Sequence, residues 1–156
     1  MVKRILVLLV VALVLLSGTC LAAEWCFVIE SQNGKKYVDL DEIRYLRTPY
    51  GIDKDIIEAW IKIDYSDTGK SEQIKFAKDN NYYNKKWDTV SHALIKHRFN
   101  INTREYAVIY GADYAENGEL LFDRSFTPNY KPVIPDSSGA YIFEVIEISV
   151  KTKIVK

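Results

Sequence analysis

The chain has 156 residues with 21 basic and 21 acidic side chains, hence no net charge, and 48% of its residues are apolar and 13% aromatic. That balance argues against a nucleic-acid partner, which asks for a basic face, and against electrostatic attachment to anionic lipid. The chain is also without a Gly-rich phosphate loop, a Cys-x-x-Cys pair or a Gly-x-Ser-x-Gly elbow.

The N-terminus reads Met1-Val2-Lys3-Arg4, then an apolar run from Ile5 to Leu16, then small residues from Ser17 to Ala23. A basic start, a short apolar stretch and small residues at the cut site are the order of a secretory signal, here residues 1–22. The apolar run is short of the roughly 20 residues of a membrane span. An uncleaved anchor is one alternative. Lipidation of Cys20 is another, because Leu16-Ser17-Gly18 has the order of a bacterial lipoprotein signal, with Thr19 interrupting it before Cys20. Cleavage leaves 19 basic against 21 acidic residues, a charge of −2, and Cys26 as the one remaining cysteine. Cys26 then has no intramolecular disulfide partner and reads as a small apolar core residue.

Residues 23–150 read as one domain and 151–156 as a frayed tail. Trp25 to Glu30 and Lys36 to Leu40 are strands, joined at Asn33-Gly34, a strong two-residue hairpin signal. Asp41-Glu42-Ile43 is a short turn. From Ile56 to Tyr65 the residues alternate, with Ile57, Ala59, Ile61, Ile63 and Tyr65 on one face and Glu58, Lys62 and Asp64 on the other. Trp60 falls on that polar face, to meet a second layer or to stand partly exposed. Residues 67–88 are polar and read as a flexible insertion, with a short helix over Ser71–Lys78 stopped by Asp79-Asn80-Asn81. Thr89–Ile101 and Thr103–Tyr114 are long strands turning at Asn102-Thr103. In the second of them Tyr106, Val108, Tyr110, Ala112 and Tyr114 share one face. Asn117-Gly118 marks a tight hairpin to Glu119–Phe126, and three prolines make 127–139 a loop. Asp136-Ser137-Ser138 offers N-cap oxygens to a helix over Ser138–Ile146. The β-branched alternation of Ile146, Ile148 and Val150 points to an extended end. The fold class is α+β: about six antiparallel strands built from hairpins, with one C-terminal helix packed on the sheet.

Candidate chemistry is sparse. His92 and His97 are the only histidines, and their odd separation places them on opposite faces of a strand. Each reads as a strand-surface residue, with metal or haem ligation by one of them the alternative. Cys26 in an apolar run is a weak nucleophile candidate. Asp41-Glu42 and Asp53/Asp55 read as solubilising turn residues. Asp79-Asn80-Asn81 lacks the Gly and Glu of an EF-hand loop. Ser138-Gly139 lacks an elbow's upstream glycine. The residues therefore point to no catalytic group, no metal site and no cofactor, and leave the binding residues unknown. The aromatic content is the remaining signal: all 11 Tyr, 3 Trp and 6 Phe follow the signal segment. Aromatics suit strands and also protein interfaces. Tyr82-Tyr83 reads as a docked loop or a contact tip.

Five short motifs in order resemble the bacterial surface-adhesin protein E family. They are Tyr37-Val38-Asp39 with Ile43, Ala59-Trp60-Ile61-Lys62, Arg104-Glu105-Tyr106, Tyr114 with Asn117-Gly118, and Val133-Ile134-Pro135-Asp136-Ser137, similar to an Ile-Pro-Gly-Ser signature. The resemblance runs from about Trp25 to Ile148. It implies an antiparallel sheet with a C-terminal helix, sometimes dimeric, on an exported or surface-exposed adhesin that binds extracellular-matrix and serum proteins, with haem binding also attributed to the founding type. Relatives often carry a cysteine near the position of Asn102 and another at the end of the last helix. Both are absent here, and with them that disulfide. The reading is an exported, non-enzymatic binding domain, located in the periplasm, at the cell surface or secreted, with protein partners outside the cytoplasm. A small-ligand or haem-binding envelope protein, and an envelope structural or assembly protein, are the alternatives.

Overall fold

The computed structural model describes residues 23–152 and residue 155. The signal segment with Cys20, and Lys153, Ile154 and Lys156 of the tail, lie outside the described residues. Eight strands form one antiparallel sheet: β1 (Trp25–Ser31), β2 (Gly34–Asp39), β3 (Arg44–Thr48), β4 (Gly51–Tyr65), β5 (Val90–Asn100), β6 (Glu105–Ala115), β7 (Leu120–Ser125) and β8 (Lys131–Pro132). Their order is β1-β2-β4-β5-β6-β7, with β3 also pairing β4 and β8 also pairing β6. Two helices, α1 (Asp67–Asp79) and α2 (Ser138–Lys151), complete the α+β fold.

The alternation of β4 is as the sequence indicates: Ile57, Ala59 and Ile61 are buried, while Glu58, Trp60 and Lys62 face the other way. The strand is longer than expected. It begins at Gly51 and pairs first with β3 across Pro49-Tyr50, a hairpin that its mixed polar sequence hides. The first hairpin is displaced by one residue. Ser31 pairs with Gly34, so Gln32-Asn33 forms the loop and Gly34 opens β2. Glycine is required there for another reason: its φ is +141°, and a Cβ would sit 2.1 Å from the Asp64 carbonyl oxygen. At the later hairpin Gly118 has φ +81° and Ala115 N donates to Glu119 O, a three-residue loop with glycine at its left-handed position.

In β6 the register slips by one residue. Lys96 pairs with Tyr110 and His97 with Val108, leaving Ile109 as a bulge. The five residues expected on one face are therefore divided. Tyr106 and Val108 lie on the same face as Phe99 and His97, and Tyr110, Ala112 and Tyr114 on the opposite one.

Helix α2 covers the first of these faces. Ser137 is its N-cap, accepting from Ala140 N at 3.2 Å. The segment that alternates as Ile146, Ile148, Val150 is helical to Lys151, not extended. Ile142, Phe143 and Ile146 pack on Val38, Ile43, Ile57, Ala59, Ile61 and Phe99, a spacing of three and four that places Ile148 outside. Half-buried Cys26 pairs with Val38 at the edge of this core.

Residues 67–88 are not a loose insertion. Ser66 caps α1 through its Oγ and Gly69 N, and the helix starts four residues before the expected one. Asn80 and Asn81 end it, with Asn80 Nδ2 donating to Phe76 O and Asn81 at φ +61°. Beyond it Trp87, in a 3-10 turn over Lys85–Thr89, is fully buried against Ala77 and Val90. Tyr82 stacks on Phe122 at 4.3 Å and the Tyr83 hydroxyl donates to Asp88 at 2.8 Å, so the pair is a docked loop. A second core thus sits at the far end of the sheet.

His97 departs from the strand-surface reading. The residue is half-buried, its Nδ1 is sealed without a hydrogen-bond partner among the described residues, and the ring stacks on Tyr106 at 5.6 Å. Burial, helped by the Lys36 ammonium, lowers its pKa to about 4.

Two outcomes follow from this packing. Trp87→Ala is expected to cost about 3–5 kcal/mol in urea unfolding, as for a core aromatic, where a flexible insertion gives under about 1 kcal/mol. For His97 the folded pKa lies below the unfolded one, so the unfolded state takes the proton first. Stability is complete above the ordinary 6.5 and falls as the pH drops toward 4. That loss is about 2–3 kcal/mol, and it is expected to disappear in His97→Phe when the two unfolding curves are compared across this window.

Candidate functional site

The face opposite the helices carries a cross-strand array of aromatic and charged side chains. One row runs Trp60, Lys96, Tyr110 across β4, β5 and β6. Trp60 meets Tyr110 edge-on at 5.7 Å, and the Tyr110 hydroxyl donates to Asp123 Oδ2 at 2.9 Å. Toward β1, Lys62 lies 5.4 Å over the Tyr37 ring and 5.9 Å over that of Trp25, and pairs with Asp64 at 3.1 Å. His92 stacks on Tyr114 at 5.1 Å, with its Nδ1 2.8 Å from Ser91 Oγ.

Beside Trp60, β3 and the open face enclose a cleft of about 350 Å³. Four cations line it (Arg44, Arg47, Lys96 and Arg98) against two carboxylates, Glu42 and Glu58, an excess of two positive charges. Glu58 takes Lys96 Nζ at 2.6 Å and Arg98 Nε at 2.9 Å. Burial opposes its charge, but the hydrogen bonds from Lys96 and Arg98 outweigh that and hold its pKa below the usual carboxylate range. Arg44 pairs with Glu42 at 2.6 Å. Arg47 is exposed and makes no ion pair among the described residues.

The structure disperses the other residues singled out in the sequence. Asp41, in the 3-10 turn, accepts Glu24 N at 3.2 Å from the chain just before β1, whereas Asp53 and Asp55 lie within β4 rather than in a turn, with Asp53 accepting Asp55 N at 2.9 Å. Ser138 takes the Lys36 ammonium at 2.7 Å. His92 and His97 lie on opposite faces. Of the open-face residues, sequence reading marked Glu58, Trp60 and Lys62 as one face. It missed Arg44 and Arg47, because β3 was not legible, and Tyr110, because the bulge was not.

The fold defines an α+β antiparallel sheet with two helices on one face. Two crystal forms of Haemophilus influenzae protein E have a similar architecture. One aligns with a TM-score of 0.51 over 85% of this chain and 93% of its own, at 9% identity. The other aligns with a TM-score of 0.51 over 86% and 89%, at 10% identity. No family model and no curated protein matches the sequence. The likeness is therefore one of fold.

Glu58→Gln keeps the shape and removes the charge that Lys96 and Arg98 share. At pH 7 the variant is expected to lose about 1–3 kcal/mol. Because the folded pKa lies below the unfolded one, the wild-type advantage is complete above the ordinary 4.5 and is lost as the pH falls below it. Thermal unfolding of both proteins between pH 7 and pH 3 reads this directly: the curves should converge at the acid end.

Proposed function

We propose that the protein is an exported, non-enzymatic binding module, adhesin-like in its action, that engages an acidic segment of a partner protein through the open sheet face. The observation that carries this reading is the juxtaposition of the Trp60–Tyr110 pair with a cleft of excess positive charge on a face that neither helix covers. Trp, Tyr and Arg are the side chains that dominate binding energy at protein interfaces. An acidic partner complements the two unneutralised charges, and such complementarity raises association rates and salt sensitivity. The likeness in fold to protein E and the signal-like N-terminus favour a site of action outside the cytoplasm, with extracellular-matrix or serum proteins as the partners to try first.

Biolayer interferometry on immobilised laminin, vitronectin and plasminogen tests the proposal. Saturable binding to at least one of them is expected, weakening as salt rises. Trp60→Ala and Arg47→Glu should each reduce affinity by about tenfold or more, the effect of an interface hot spot. Lys75→Glu, an exposed change on α1 behind the sheet, should leave it unaltered. Binding that ignores both open-face substitutions, or no saturable binding at all, removes the reading.

A further inference from the structure

The covered face of the sheet is not closed along its whole length. Helix α2 packs over Ile57 and Phe99 at one end, while α1 and Trp87 pack at the other. Between them the floor is made by Ala93, Ile95, Val108 and Gly111, and a cleft of about 420 Å³ opens above it. That volume lies within the roughly 300–1,000 Å³ of small-molecule sites. Small residues create the space: a Cβ built on Gly111 meets only the Phe126 ring, at 3.7 Å. Phe76 of α1, with Phe122 and Phe126, forms the walls.

Two groups of opposite charge stand at this cleft and do not pair with each other. Asp113, on β6, has one carboxylate oxygen on the Tyr65 hydroxyl at 2.7 Å. Its second oxygen has no hydrogen-bond partner among the described residues and is not sealed from solvent. Arg124, on β7, lies 4.4 Å over the Phe126 ring and 5.7 Å from that of Phe76. It makes no ion pair among the described residues, so its donor fork is free. Register places Arg124 opposite Gly111 and Phe122 opposite Asp113, which makes Asp113 and Arg124 diagonal neighbours. Such positions lie roughly 7–8 Å apart. That spacing is one of strand positions, so an anion on the arginine fork and a cation on the free carboxylate oxygen can belong to one small zwitterion bound between them.

We propose that the cleft binds a free α-amino acid with an apolar or aromatic side chain, its carboxylate on Arg124, its ammonium on Asp113 and its side chain on the Ala93–Ile95–Val108 floor. A simple acid would meet Asp113 and Glu72, two like charges. A simple amine would leave the guanidinium fork unused. Gly111 is needed because any larger residue would occupy the space of the ligand. This site lies on the opposite face from the proposed protein contact and stands or falls separately from it.

Isothermal titration calorimetry of the purified protein with L-phenylalanine and L-leucine tests this, beside 3-phenylpropanoate and 2-phenylethylamine, which each lack one charge. Saturable binding of an amino acid is expected, with each analogue about tenfold weaker, because each lacks one of the two charge-assisted hydrogen bonds. Asp113→Asn and Arg124→Met should each weaken binding by about tenfold or more, and Gly111→Leu should abolish it. In the unaltered protein the amide resonances of Ala93, Ile95 and Gly111 should shift on titration, a readout that needs no variant to fold. No binding by either amino acid, an analogue that binds as tightly as L-phenylalanine, or resonances that stay in place overturns the proposal.

Discussion

The single-residue bulge at Ile109 is the constraint on which both faces of the sheet depend. Strand side chains alternate with a period of two, so one extra residue exchanges every later position between faces. Before Ile109, Tyr106 and Val108 belong to the covered face. After it, Tyr110 and Tyr114 turn to the open one, and Gly111 and Asp113 turn to the helices. Without the slip, Tyr110 would crowd the covered side and Trp60 would lose its edge-on partner. The bulge is anchored: Phe126 N donates to the freed Ile109 carbonyl at 3.0 Å. That bond draws the chain after β7 across the sheet and brings the Phe126 ring over Gly111.

The second constraint is close backbone contact around β4. Gly34 lets β2 approach the Asp64 carbonyl, and the hairpin loop just before it is claimed by α1. Ser66 N donates to Asn33 O at 3.1 Å, and Ser66 Oγ donates to Gln32 O at 2.6 Å. Asn33 Nδ2 reaches Glu72 at 2.6 Å. The polar composition of residues 67–88 conceals this, because the segment is held by backbone groups, caps and one tryptophan. A polar stretch reads as loose when binding is sought in apolar periodicity alone. Here Ala77 and Trp87 suffice, since both are fully buried.

What was legible follows the same division. Regular alternation in β4 named its core face correctly, and the oxygens of 136–138 marked the start of α2. The end of α2 was misread because Ile146, Ile148 and Val150 fit two periods, and only the sheet beneath decides for the helix. Bulges leave no trace in composition, so the tyrosines of β6 could not be sorted. The motifs that resemble the protein E family are mostly turn, cap and core residues. Asp39 accepts Asp41 N at the 3-10 turn, Val38 and Ile43 are buried, and Arg104 has φ +54°. Asp136, at the glycine of the Ile-Pro-Gly-Ser signature, has φ +57°, a left-handed conformation that glycine adopts freely and Asp tolerates. Such residues specify an architecture, and architecture is what the solved structures share with this chain. Tyr37, Trp60, Lys62 and Tyr114 are the exceptions, since their side chains leave the core for the open face.

This distribution has an energetic consequence for binding at that face. Association loses side-chain freedom, and long cations lose the most. Lys96 and Arg98 are already held by Glu58, Lys62 by two rings and Asp64, and Trp60 by Tyr110, itself tied to Asp123. A partner that meets these groups orders little that is not ordered in the free protein. The same ties limit what each can offer, because Glu58 already satisfies part of two cations. The unspent charge is that of Arg47 and the one that a single Glu58 leaves to Lys96 and Arg98. Affinity for the proposed partner should then be set by the Trp60–Tyr110 pair, and its attraction by the unpaired positive charge, two effects that salt separates because it screens only the second.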